Sequence, residues 1–241
     1  MHKGDTYTIA FAAVVCVVSS LLLSGTSALL KKQQDSMVEL DRKMNVLKAF
    51  QVPTLGADGK KIPASQVDRI FEEHISEIFI DAASGKVIED TTPSEDFKKK
   101  LESKEILPLF LWKEGGETLK YAFPISGKGL WSTIYGYMAL DKDLSTIVGI
   151  TFYKHGETPG LGGEISTDAF QSQFKGKKIA ENGQRVRFEV VKGSVKDKYP
   201  EGNTHAVDGI SGATLTGKGI NQFLNGDLEM YDNYFKGIRK G

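Results

Sequence analysis

An uncharged run of 22 residues, Ile9 to Leu30 (IAFAAVVCVVSSLLLSGTSALL), constrains this chain more than any other feature. At a helical rise of about 1.5 Å per residue it extends about 33 Å, enough to cross a hydrocarbon core of roughly 30 Å. Cys16, inside the run, reads as a small apolar side chain. The small residues of SGTSA also suit a signal peptidase, but apolar residues resume at Leu29 and Leu30 before the charges begin. That favours a retained anchor over a cleaved leader. Lys31 and Lys32 follow the run and only Lys3 precedes it, a bias that would place the rest of the chain inside. The rule weakens for long translocated domains, so charge alone does not settle orientation.

The 241 residues are enough for one ordinary domain or two small ones, and a composition 40% hydrophobic and 26% charged supports a core. Lys+Arg and Asp+Glu balance at 31 each, so no global field attracts nucleic acid, and no such partner is expected. With Cys16 as the one cysteine, disulfide frameworks, Cys-rich zinc sites and protein-ligated iron–sulfur clusters are excluded, and no metal site is expected.

Lys31 to Phe50 reads as a helical stalk with Val38, Met44, Leu47 and Phe50 at helical spacing, and Gln51–Pro63 as a loop rich in Pro and Gly. Ser65 and Asp68 suggest a capping box ahead of an apolar run at Ile75–Ile80. TTPSEDFKKKLES predicts a helix with a Thr cap and Pro93 at its first position. Strands are predicted at Leu107–Lys113, Leu119–Ile125, Leu130–Leu140 and Ile147–Tyr153, the first two joined through EGGE as a hairpin. A helix at Thr167–Phe174, a strand at Val186–Val191 and a helix from about Thr214 follow. Adjacent strands without intervening helices predict an α+β fold: one N-terminal transmembrane helix, then one globular domain with a mostly antiparallel sheet and flanking helices. The expected divisions are 1–31 (anchor), 32–63 (stalk helix and loop) and 64–241 (globular domain).

Three segments carry candidate chemistry. DGISGATLTGKG (Asp208–Gly219) sets Ser211, Thr214 and Thr216 among glycines at a helix start. One hydroxyl suffices to cap a helix; three, with Gly209 and Gly212, also suit an anion on the orphan N–H groups and the positive end of the dipole. Gly212–Lys218 matches the P-loop pattern until Gly219 stands where a magnesium-binding Ser or Thr is required. GISGA approaches the nucleophile elbow, but no His follows Ser211. A plain capped helix remains the competing reading. HGETPGLGGEI (His155–Ile165) is turn-rich and open to close approach. Its H-x-E begins a zinc deaminase signature whose cysteine half is missing, so the bland alternative is a glycine-rich connection. GKGLWSTIYGYMAL (Gly127–Leu140) reads as a strand combining Trp131, Tyr135 and Tyr137 around Gly136, which core packing would also explain.

Together these segments resemble the periplasmic FMN-binding domain shared by sodium-translocating NADH:quinone oxidoreductases and Rnf electron-transport complexes, where GKGLWS, HGETPGLGG and DGISGAT occur in this order. The resemblance covers Gly127 to about Gly219. The family's flavin attachment motif is D-x-x-[S/T]-G-A-T, and Asp208, Ser211, Gly212, Ala213 and Thr214 fill every fixed position. The stalk ELDRKMNVLKAFQV and the insert after it look like the sodium-pump branch; the Rnf branch is typically shorter near its N-terminus.

The resemblance implies one covalent FMN per chain, esterified through its phosphate to Thr214 by a flavin transferase. Cofactor-binding residues would be Asp208, Ser211, Gly212, Ala213, Trp131, Ser132, His155, Glu157, Thr158, Leu161 and Gly162, with the isoalloxazine between the His155–Gly163 loop and the Trp131 strand. Ser211 could bond the phosphate or cap the helix. Thr216 is expected to be an ordinary first-turn residue, because positions two apart on a helix point about 200° away from each other. No catalytic residue separate from FMN is implied. The implied role is an electron-relaying subunit of a sodium-transporting NADH:ubiquinone reductase in the bacterial inner membrane, single-pass, with a periplasmic domain and the complex's other subunits as partners. A G-x-G-x-x-G after a strand is lacking, so nicotinamide is expected to bind elsewhere. The alternatives are an Rnf-type subunit, or an anchored module that holds a phosphate ligand reversibly.

Overall fold

The apolar run lies within one continuous helix, α1 (Lys3–Ala49), of a computed structural model that describes residues 3–56 and 58–239. Met1–Arg42 and Lys43–Gly241 are separate compact units. In the first, the large apolar side chains stand exposed, Leu21 at 68% and Leu29 at 83%, and the helix is long and apolar enough to cross a membrane. Val38 belongs to this unit and is 70% exposed, so it does not share the buried face expected for the stalk. Met44, Leu47 and Phe50 do: they are buried in the second unit, where Lys43 also pairs with Asp68 at 2.6 Å.

That ion pair corrects one expected cap. Helix α2 (Ala64–His74) begins after Pro63 with no side-chain cap, because the Asp68 carboxylate is engaged by Lys43 rather than turned back on the helix start. Strand β1 (Ile75–Asp81) follows directly. Helix α3 (Glu95–Glu102) starts two residues later than the Thr92–Pro93 pattern predicts. Ser94 is the extended residue there and its hydroxyl accepts from the Phe97 amide at 3.0 Å, while the Thr92 amide is held by Asp90.

Strands β2 (Ile106–Glu114), β3 (Glu117–Lys128), β4 (Thr133–Asp141) and β5 (Ile147–Lys154) join β1 in one antiparallel meander, in the order β1-β2-β3-β4-β5. The β2–β3 turn uses Gly115 and Gly116 at φ 58° and 88°, the left-handed pair that two-residue hairpins require. Period-two alternation sends Leu107, Leu109, Leu111, Tyr121, Phe123 and Ile125 into the main core. On the opposite face Phe110 meets Phe71 at 6.1 Å and Trp112 meets Phe50 at 5.6 Å, so α2 and the end of α1 cover that side.

Beyond β5, a 3₁₀ turn (Gly162–Ser166) leads to α4 (Asp168–Gln171), capped by Thr167, and a second 3₁₀ turn at Ser172–Phe174. Two-residue strands β6 (Ala180–Glu181) and β7 (Gln184–Arg185) form a small hairpin. The strand expected at Val186–Val191 contracts to β8 (Glu189–Val190), which pairs in parallel with β9 (Ala206–Val207), the short helix α5 (Val195–Lys198) lying between them.

The final helix, α6 (Thr214–Arg239), lies across the core face of the sheet. Phe123 packs on Tyr231 at 4.4 Å and on Phe235 at 5.7 Å. The Tyr231 hydroxyl donates to the Pro108 carbonyl at 2.7 Å, and Asp227 accepts from the Ser126 amide at 2.8 Å and Lys104 at 2.5 Å. On its other side α6 replaces a missing strand. Asn221 and Asn225, one turn apart, each bond both the N–H and the C=O of one residue, Val190 and Phe188 respectively. These side-chain bonds occupy the edge of β8 turned away from β9, whose side is met by the Glu189 and Val191 amides.

Candidate functional site

The 208–214 loop is shaped by close backbone approach. A side chain at Gly209 would strike the Val191 carbonyl, and Gly212 has φ 75° with Leu161 against it. Asp208 faces inward: its amide donates to Gln173 at 2.9 Å and its carboxylate accepts from the Val195 amide at 2.6 Å. Ala213 is buried, Ser211 and Gly212 are exposed, and Thr214 opens α6 with its side chain exposed. A cleft of about 260 Å³ lies beside it, lined in part by Val191, Lys192, Gly209, Ala213, Thr214 and Lys218.

Thr216 is not the ordinary first-turn residue expected. It is 1% exposed, and its hydroxyl donates to the Glu157 carboxylate at 2.6 Å. The helical turn that points Thr214 outward points Thr216 into the protein. Glu157 is itself 5% exposed and also accepts from the Trp131 amide at 3.0 Å and the Leu130 amide at 3.2 Å. Burial alone would push its pKa up, but the bonds from Thr216, Trp131 and Leu130 outweigh it and hold the carboxyl below its ordinary value. A Cβ at Gly129 would come within 2.6 Å of this carboxylate, and one at Gly162 within 2.5 Å of the Thr216 hydroxyl. Glycine at 162 is thus explained by contacts inside the protein.

Trp131 corrects the expected strand. Strand β4 starts at Thr133, and Leu130, Trp131 and Ser132 form the turn before it, since Glu157 captures the Leu130 and Trp131 amides from another segment. Ser132 adds a second tie by accepting from the Gly156 amide at 2.6 Å. His155 is half-buried and its Nδ1 accepts from the Glu157 amide at 3.3 Å. Thr158 is exposed, its carbonyl closing the turn to Leu161 and Gly163.

Three segments distant in sequence therefore converge: the turn at 129–132, the loop at 155–163 and the start of α6. They carry four large apolar side chains left in solvent: Leu130 at 40%, Trp131 at 71%, Leu161 at 43% and Leu215 at 55% exposed. An outward hydroxyl at the head of a 26-residue helix, two lysines in the adjoining cleft and nearby apolar side chains suit a ligand with an anionic end and a flat apolar end.

Residues 129–229 match the FMN-binding domain family. The whole chain aligns at 32% identity with NqrC, the C subunit of the Na(+)-translocating NADH-quinone reductase, from Pseudomonas aeruginosa, covering 100% of this chain and 98% of that one. The chain belongs to the NqrC family. Another member, from Vibrio campbellii, is 32% identical over 92% of this chain and 90% of its own. Crystal structures of the family superpose with the same fold. Shewanella oneidensis NqrC gives a TM-score of 0.68 at 28% identity, covering 83% of this chain and 97% of that one. The corresponding structure from Parabacteroides distasonis gives 0.70 at 30% identity, covering 86% and 96%.

The family's FMN-binding domain thus includes all three converging segments. The sequence expectations for this place included Thr214, Trp131, Glu157 and Leu161; they gave Thr216 no buried partner and left out Lys192, Lys218 and Asn221, which holds Val190 in the cleft's wall. A helical reading does put Lys218 one turn after Thr214. Lys192 carries no local signal, since it reaches the cleft through the β8–α6 bonds.

Proposed function

We propose that this chain carries FMN as a phosphoester on Thr214 and acts as the electron-relaying subunit of a sodium-translocating NADH:quinone reductase. The observation that supports this most is the contrast between Thr214, exposed at the helix start beside Lys192 and Lys218, and Thr216, buried two residues on. When bound, the flavin supplies one-electron chemistry that no side chain here can perform. The chain's own part is to hold and shelter it. The head of α6 offers N–H groups and positive dipole to the phosphate, with the lysines adding charge. Leu130, Trp131, Leu161 and Leu215 would cover the ring between the 155–163 loop and the Trp131 turn, restricting water. Ser211, Gly212, Ala213 and Thr158 would belong to the walls of this site, with Gly162 buried behind them against Glu157 and Thr216. His155, Ser132 and Asp208 contribute by fixing the loops, through the bonds described above.

Residues 1–31 would anchor the chain in the inner membrane, 32–63 would form the stalk and loop, and 64–241 the flavin-bearing domain on the periplasmic side. The partners are the complex's other subunits and, during maturation, a flavin transferase. The test is made on full-length protein produced together with that transferase. Acid precipitation should leave flavin colour in the pellet, and peptide mass spectrometry should place one FMN on Thr214. Thr214→Ala should fold with no covalent flavin. Flavin that washes out completely, or that resides on Thr216, overturns the proposal.

A further inference from the structure

Glu157 has the surroundings of a built site. It is 5% exposed, three donors converge on it, and Gly129 and Gly162 leave space for the carboxylate where any side chain would collide. None of these donors reaches it by chance of sequence proximity: Leu130 and Trp131 lie 27 and 26 residues before it, and Thr216 lies 59 after. From this geometry we infer that Glu157 and Thr216 are the positioning pair of the flavin site, fixing the rotation of α6 and the place of the Leu130–Trp131 turn so that Thr214 faces outward beside the apolar wall. The inference rests on the reading of Thr214 as the attachment residue.

The physical argument concerns rotation about the helix axis. Packing of Phe223, Leu224 and Leu228 sets where α6 lies, but apolar contacts tolerate small rotations and slides, whereas a 2.6 Å bond to a charged acceptor does not. Because Thr214 and Thr216 point about 200° apart, holding one inward holds the other outward. The second carboxylate oxygen acts on the other wall: it gathers the Trp131 amide, so the turn that carries an exposed Trp131 is tied to the same helix turn. Glu157 and Thr216 touch no cofactor in this scheme. They act through Thr214 and Trp131.

The test uses full-length protein made with its flavin transferase and compares wild type with Thr216→Val, Thr216→Ser and Glu157→Gln. Thr216→Val removes the hydroxyl with little change of shape, and the readout is on another segment: hydrogen exchange at the Leu130 and Trp131 amides. Exchange there should quicken by about tenfold, the scale set by losing a hydrogen bond to a charged group. Amides of the paired β3–β4 core should stay unchanged, showing an intact fold. Fluorescence anisotropy of the attached flavin should fall, and Thr216→Ser should restore both signals. Glu157→Gln should act in the same direction, with a double variant no worse than the stronger single change, as expected of a pair acting as one unit. A flavinylated wild type together with a folded Thr216→Val whose amides and anisotropy match it overturns this inference alone. A wild type with no flavin on Thr214 overturns the attachment reading and this inference with it.

Discussion

At the scale of single residues, Glu157 links stability to pH in a way that can be read directly. Its carboxyl is held below the ordinary glutamate value of 4.5: burial opposes ionisation, and the Thr216, Trp131 and Leu130 donors more than compensate. A depressed native value stabilises the fold above the unfolded value, and that contribution is lost as pH falls through the lower native one. Other carboxylates with lowered values, such as Asp143 and Glu189, titrate over the same acid range, so the comparison must be with a variant. Glu157→Gln should cost stability at pH 7, and the gap from wild type should hold steady towards about pH 4.5 and close below it. Denaturant melts at a series of pH values measure this. A gap that widens on acidification would show a carboxyl protonated in the native state. The same residue explains what sequence could not reveal about the site. H-x-E and T-x-T are legible as polar groups in turns, but their bond spans 59 residues and has no local signature.

At the scale of elements, α6 shows how one residue type serves two purposes. Gly219 sits where the helix crosses the end of β3, and a Cβ there would come within 2.5 Å of the Lys128 carbonyl and 3.2 Å of the Gly129 Cα. Gly226, two turns on, is exposed with nothing near. Alanine gains up to about 1 kcal/mol over glycine in a helix interior. Gly226→Ala should therefore raise stability by about 0.5–1 kcal/mol. Gly219→Ala should lower it by about 1–3 kcal/mol, because backbone on both sides of the contact cannot yield cheaply. Thermal melts of the two variants should move in opposite directions; a shift of the same sign would remove the close approach as the reason for Gly219. The P-loop-like spacing that ends at Gly219 is thus explained by packing. Elements with local causes were legible: the EGGE hairpin and the start of α6 at Thr214, while the helix read at Thr167–Phe174 is a single turn, Asp168–Gln171, with Thr167 as its cap and a 3₁₀ turn after it. Those decided by distant partners were not. Asp68 was drawn to Lys43, the Trp131 turn to Glu157, and the β8 backbone to Asn221 and Asn225.

At the scale of the whole molecule, the anchor and the globular unit pose a question of sides. Apolar side chains from Ile9 to Leu30 stand exposed on α1, as lipid-facing residues must, with Lys31 and Lys32 directly after them. Counting lysines places the following domain inside, yet the rule governs short loops, and a domain of roughly 200 residues after a span can be translocated largely regardless of nearby charge. The proposed function gives the opposite answer, since it puts the flavin-bearing domain on the periplasmic side. An enzyme reporter active only after export, fused behind residue 241, should therefore be active, and a reporter active only in the cytoplasm should be silent there. Protease added to spheroplasts should remove the globular unit while sparing the anchor. Replacing Lys31 and Lys32 with Gln should leave the outcome unchanged, because these lysines do not determine orientation. Cytoplasmic reporter activity at residue 241, with the globular unit protected in spheroplasts, would place the domain inside and require flavin attachment to occur there.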